Sequence, residues 1–187
     1  MSLQPLDGLT VLEFGHTVMG PCAGMILADL GAEVIKVEPA PEGEPTRRLE
    51  GFGTGYFGYF NRNKRSVALD LKTPAGLAAA EALVARADVL VENFAPGTMD
   101  RLSLGSERAK EINPRLVYAS LKGFMPGPYE NRLALDEVVQ MMTGLAYMTG
   151  PTGRPLRAGT SVIDIVGGMF AVIGILVALR DREGTGR

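Results

Sequence analysis

The sequence predicts an α/β fold built on a largely parallel, doubly wound sheet with flanking helices. Two observations carry that expectation. Five apolar runs of strand length alternate with segments of helical periodicity, and helical crossovers separate successive runs. Proline- and glycine-rich stretches mark the joins.

The elements follow in order along the chain. Leu9–Phe14 reads as the first strand and Gly20–Leu30 as a helix closed by Gly31. Glu33–Val37 is the second strand. From Glu38 to Phe60 the chain carries Pro39, Pro41, Pro45 and five glycines and ends in Tyr56, Phe57, Tyr59 and Phe60, which predicts an ordered but irregular loop. Ser66–Asp70 alternates as a strand, and Thr73-Pro74 supplies an N-cap and a favoured first residue for a helix to about Arg86. Asp88–Asn93 and Leu116–Leu121 complete the strands, with short helices near Pro96–Leu102 and Ser106–Ile112 between them. Beyond Gly123 come a polar loop, a helix over about Ala134–Leu145, another Gly/Pro loop and a long helix over about 161–182. Glu183–Arg187 reads as a helix exit, and Met1–Leu3 as an expression leader.

Composition bounds the function classes. The 187 residues, 46% apolar and 21% charged, suffice for one or at most two cores, and a net charge of -2 favours neither a nucleic acid nor an anionic membrane through bulk charge. Cys22 and His16 are the single cysteine and histidine, so one chain can build neither a disulfide framework nor a Cys/His zinc site. A reducing, cytoplasmic setting and a site without metal are expected. The N-terminus lacks the pattern of a secretory signal. Val162–Leu179 is apolar enough to invite a membrane reading, but a lone span at the end of an α/β pattern fits a buried or interface helix better.

In an open parallel sheet, ligands sit beyond the carboxyl ends of the strands. The residues there are Gly15-His16-Thr17, Glu38-Pro39, Asp70-Leu71-Lys72, Asn93–Gly97 and Lys122-Gly123. The first loop lacks the Gly-x-Gly-x-x-Gly spacing of a dinucleotide pyrophosphate site. Lys72, Arg101 and Lys64-Arg65 could neutralise phosphates, or could be solvated surface charge. His16 could act in proton transfer, stack on a ring, or be a turn residue with a satisfied imidazole. Asp164 is the most unusual residue, a carboxylate entering an apolar helix beside Gly167 and Gly168. One reading is an acid interacting with the helix dipole. The other is an ionised nucleophile, with glycines that let a bulky thioester approach.

Several stretches together resemble the family III CoA-transferases, a group that includes formyl-CoA and carnitine CoA-transferases and the α-methylacyl-CoA racemases. They are Pro5–Gly8, Leu30–Glu38, Asn61–Ser66, Val91–Gly97, Asn113–Arg115 and Asp164–Gly186. The resemblance implies that residues 1–187 form the N-terminal part of a Rossmann-like, CoA-binding large domain, with a small domain and a returning C-terminal segment outside this chain. It also implies a cytoplasmic homodimer of interlocked rings, acting on acyl-CoA and small carboxylic acids.

Matched to formyl-CoA transferase, the resemblance places His16, Val18 and Met19 beside CoA. It places Leu69, Asp70, Leu71 and Lys72 around the nucleotide end, and Asn93, Phe94, Ala95 and Arg101 nearby. It identifies Asp164 as the catalytic aspartate, carrying mixed anhydrides and an aspartyl-CoA thioester, and Asp136 as a carboxylate supporting the acyl site. Pro39 stands where the related enzyme has a CoA-contacting arginine, for which Arg47 or Arg48 are the available substitutes. The racemase branch needs a His-Asp pair, and Leu135 precedes Asp136 here, so transferase chemistry is the expectation. A noncatalytic CoA-binding or dimerisation module is the reading from a different class.

Overall fold

The computed structural model describes residues 4–186, and for Phe52 the backbone alone. Met1–Leu3 and Arg187 lie outside the described residues, so the expected leader falls outside them. The elements are β1 (Thr10–Phe14), α1 (Met19–Asp29), β2 (Glu33–Pro39), α2 (Tyr56–Phe60), β3 (Arg65–Leu69), α3 (Pro74–Val84), β4 (Val89–Glu92), α4 (Thr98–Arg101), α5 (Ser106–Ile112), β5 (Val117–Ser120), α6 (Asp136–Met142), α7 (Leu145–Thr149) and α8 (Val162–Thr185).

All four strand pairings are parallel, in the order β3-β2-β1-β4-β5. The α/β, doubly wound expectation therefore holds. The chain winds outward from β1 through β2 to β3 and then returns to β4 on the other side of β1. That reversal puts the crevice of the sheet between the ends of β1 and β4.

Alternation along β1 feeds two cores. Val11 joins Ala23 and Leu27 of α1 and Val172, Ile175 and Leu179 of α8 on one face. Leu12 and Phe14 join Ala80 and Val84 of α3, Met99 of α4 and Ala109 of α5 on the other. The predicted cap of α3 is present, Thr73 Oγ1 accepting from Gly76 N–H at 3.1 Å.

Three expectations change in detail. The Glu38–Phe60 stretch is not irregular throughout: it contains 3-10 turns at Pro45–Arg48 and Gly51–Gly53, and its aromatic end is helix α2. The single helix expected over Ala134–Leu145 is two, because Gly144 adopts φ 85° and breaks the hydrogen-bond ladder between α6 and α7. The last helix runs on through Gly184 and stops at left-handed Gly186, whose N–H bonds Arg182 O at 2.8 Å. One glycine costs a helix only about 1 kcal/mol, too little to end it alone.

Helix α8 is long and apolar enough to cross a membrane by length and composition. In the fold it packs on α1 through Gly168, Val172, Ile175 and Leu179, which recur every three or four residues. Its other face leaves Met169, Phe170, Ile173 and Val177 exposed.

Candidate active site

The loop after β1 is held from beneath by buried charge. Lys36 Nζ lies 2.9 Å from Glu13 Oε1 and 2.7 Å from Glu44 Oε2, and donates to Gly15 O at 2.7 Å. Lys64 Nζ lies 2.6 Å from Glu13 Oε2 and donates to Pro21 O at 2.8 Å. Glu44 Oε1 accepts Thr17 N–H at 2.7 Å, and Thr17 has φ 64°, an uncommon conformation for a residue with a side chain. The cluster thus fixes both peptide groups around His16. Gly24 makes room for it, since a Cβ there would stand 1.9 Å from Glu13 Oε2.

The loop after β4 meets it across the crevice. Asn93 Oδ1 accepts His16 N–H at 2.8 Å, while Asn93 Nδ2 donates to His16 O at 3.0 Å. The His16 and Phe94 rings stack with centroids 5.5 Å apart and planes inclined by 19°. Burial lowers the His16 pKa, opposed by the charge of Glu44, so the ring is neutral near pH 7. Beneath Phe94, Glu92 holds Lys122 at 2.6 Å, and Lys122 Nζ donates to Phe94 O at 2.8 Å.

Two cavities meet at His16 and Thr17. One, of about 660 Å³, opens over the ends of β2 and β3 and is lined by Pro39, Leu69, Asp70, Leu71, Lys72 and Phe94, among others. The other, of about 880 Å³, is lined by Val18, Met19, Asn93, Asp136, Asp164 and Gly167, among others. The two form a trough along the carboxyl edge of the sheet.

Asp164 lies in the first turn of α8, and its neighbours explain its chemistry. Asp136 Oδ2 accepts the N–H of Ile163 at 2.8 Å and of Asp164 at 3.2 Å, so a side chain from α6 caps α8. Asp136 Oδ1 accepts from Gln140 Nε2. Burial, then the negative charge of Asp136, raises the Asp164 pKa to about 6. The helix terminus therefore does not hold this carboxyl in the ordinary range, as position alone suggests; desolvation outweighs the dipole. Asp164 is still predominantly ionised at neutral pH.

Among residues singled out from the sequence, His16, Val18, Met19, Leu69, Asp70, Leu71, Lys72, Asn93, Phe94, Asp136 and Asp164 all line the trough. Ala95 and Arg101 line neither cavity, and Arg101 turns back to donate to Thr98 Oγ1 at 2.8 Å. Lys64 is neither a phosphate ligand nor surface charge; it is buried against Glu13. Arg47 is committed to Glu38 through bonds of 2.7 and 2.6 Å and lies over the Phe57 ring, and Arg48 donates to Glu42 O, so neither fills the place beside Pro39. Gly168 serves helix packing, since a Cβ there would meet Met19 O at 2.8 Å; Gly167 is the glycine beside the cavity.

Sequence reasoning missed Glu13, Lys36, Glu44 and Gln140. For Glu13 and Lys36 a signal existed, a charge in the middle of an otherwise apolar strand. Glu44 and Gln140 carried none, because their partners are fixed only by the fold.

Residues 6–187 match the family model described as CoA-transferase family III. The chain is 46% identical over 189 residues to the acetyl-CoA:oxalate CoA-transferase of Acetobacter aceti, covering 98% of this chain and 49% of that protein. It is also 46% identical to the formyl-CoA:oxalate CoA-transferase of Streptomyces avermitilis, again over 98% of this chain and 46% of the relative. The crystal structure of a CAIB/BAIF family protein from Brucella suis superimposes with a TM-score of 0.93 at 42% identity, covering 100% of this chain and 52% of that one. The chain spans about half the length of the curated relatives it matches.

Proposed function

The chain belongs to CoA-transferase family III, and from that premise we propose that the full-length protein moves CoA from an acyl-CoA donor to a carboxylic acid, with Asp164 as nucleophile. The observation that carries this reading is the trough: a half-buried carboxylate lines one cavity, which joins a second over the ends of β2 and β3.

An Asp164 oxygen attacks the donor thioester carbonyl, the C–S bond breaks with its electrons on sulfur, and a mixed anhydride and CoA thiolate result. The thiolate then attacks the Asp164 carbonyl, expelling the donor carboxylate and leaving an aspartyl-CoA thioester. The acceptor carboxylate attacks that thioester, releasing thiolate and forming a second anhydride. Attack of thiolate on the acceptor's carbonyl gives the new acyl-CoA and restores Asp164. Dividing the exchange this way gives each step a good leaving group.

The chain's own residues support binding and order. In this reading the cavity lined by Lys72, Asp70 and the apolar Leu69 and Leu71 takes the nucleotide end, and the His16 ring, stacked on Phe94, stands where the two cavities meet. Asn93 holds the His16 backbone at the place where the two cavities meet. Asp136 caps the helix that presents the nucleophile, which makes it a supporting residue.

In the same reading the protein is a cytoplasmic homodimer; the apolar face left open on α8 supports association, and sedimentation of the full-length protein measures it.

Incubating full-length protein with acyl-CoA donors and acids, trapping with hydroxylamine and locating the adduct by mass spectrometry tests the mechanism. The expected result is a hydroxamate at Asp164 and no turnover in Asp164→Ala. Turnover with Asp164 unmodified, or full activity in Asp164→Ala, overturns it.

A further inference from the structure

Gln140 is fully buried in the middle of α6 and uses both ends of its amide. Its Nε2 donates to Asp136 Oδ1, four residues earlier on the same helix, and contacts Thr160 O at 3.4 Å. Its Oε1 accepts the N–H of Ala158 at 2.7 Å. Asp136 in turn accepts two N–H groups at the start of α8. One side chain therefore links α6 to the segment leading into the nucleophile's helix and fixes the carboxylate that caps it.

We propose that Gln140 is a positioning residue for Asp164, acting through Asp136 and through the backbone at 158–160. The inference rests on Asp164 being the nucleophile. Without the amide, Asp136 Oδ1 and the Ala158 N–H lose their partners in a buried place. The capping carboxylate then loses its fixed orientation, and the helix start loses its anchor.

Loss of the fixed Asp136 position has a particular signature. An ionised Asp136 repels the ionised form of Asp164, and acylation removes the Asp164 charge, so the pair is relieved as the covalent intermediate forms. Among the described residues, Cys22 on α1 interacts electrostatically with Asp164, and His16 after β1 and Glu130 and Lys122 after β5 line the same cavity. None of these is held by Gln140.

The test uses full-length protein and single-turnover formation of the Asp164 adduct from acyl-CoA, trapped with hydroxylamine between pH 5 and 8. In Gln140→Leu the acylation rate is expected to fall at least tenfold with acyl-CoA KM within twofold, and the acidic limb of the rate profile to move to lower pH. Placed on Asp136→Asn, the same substitution is expected to leave the acidic limb in place and to slow acylation less than it does in the unsubstituted protein, since only the Ala158 contact then remains to be lost. Gln140→Asn, one methylene too short to reach Asp136 and Ala158 together, is expected to show a weaker form of the same pattern. It serves as the readout should Gln140→Leu not fold.

An unchanged rate and limb in the folded variant, or equal slowing with and without the Asp136 charge, overturns the proposal. Absence of any Asp164 adduct in the unsubstituted protein overturns the reading beneath it, and is seen before the variants are compared.

Discussion

The Asp136 carboxylate accepts the backbone N–H of Asp164 at 3.2 Å, so two carboxyl groups from helices 28 residues apart in sequence share the start of α8. The cap satisfies helix donors that would otherwise be unpaired, while its charge opposes ionisation of the group it positions. Structure and reactivity are coupled through one side chain.

The first consequence is a pH dependence. In the proposed mechanism attack needs ionised Asp164, whose pKa is raised to about 6 by burial and by Asp136. The acylation rate is therefore expected to be full above pH 7 and to fall as pH drops through about 6. In Asp136→Asn the limb moves toward lower pH, and single-turnover profiles measure the shift.

Stability carries the opposite sign. A carboxyl whose folded pKa is raised binds its proton more tightly in the native state, so ionising it costs stability, with the cost growing from the unfolded pKa upward and complete above the folded one. Asp164→Asn is expected to stabilise the protein at pH 8 by about 1 kcal/mol after allowance for solvent screening, and by much less at pH 4. Thermal melts at the two pH values give the comparison.

Removing Lys64 leaves Glu13 with Lys36 alone in a buried site. Lys64→Met is expected to destabilise by about 3 kcal/mol, the usual result of breaking a buried ion pair from one side. Lys72→Ala, on an exposed residue, should cost under about 0.5 kcal/mol in stability while weakening acyl-CoA binding. Urea unfolding separates the two.

Asn93 closes the crevice with two hydrogen bonds to the His16 backbone. Asn93→Ala is expected to cost about 2 kcal/mol of stability and to raise the acyl-CoA KM roughly tenfold. Steady-state kinetics beside urea unfolding show whether the binding defect outlasts a correction for unfolded protein.

Two glycines of one helix should respond in opposite directions. Gly168→Ala places a methyl 2.8 Å from Met19 O and 3.0 Å from Cys22 Cβ, in the α1–α8 contact, and should destabilise by about 2 kcal/mol. Gly174→Ala meets nothing within 4 Å and should stabilise by up to about 1 kcal/mol through helix propensity. Differential scanning calorimetry of both variants reads the sign.

The sequence by itself determined the layout. Strand-length apolar runs, the Thr73-Pro74 helix start and the Gly and Pro boundaries depend on local periodicity and dihedral preference, so the five parallel strands and most helices were legible before any contact was known. Asp164 was legible too, as a charge where an apolar helix should have none. Tertiary structure alone decided what surrounds that charge. Glu13 finds Lys64 across 51 positions, Asp136 reaches the N–H of Asp164 across 28, and Gln140 reaches Ala158 across 18. Such pairings carry no local period, because the geometry that brings them together belongs to the packed layers. They convert Asp164 from an acid at a helix start into a carboxyl whose pKa burial and a second carboxylate set.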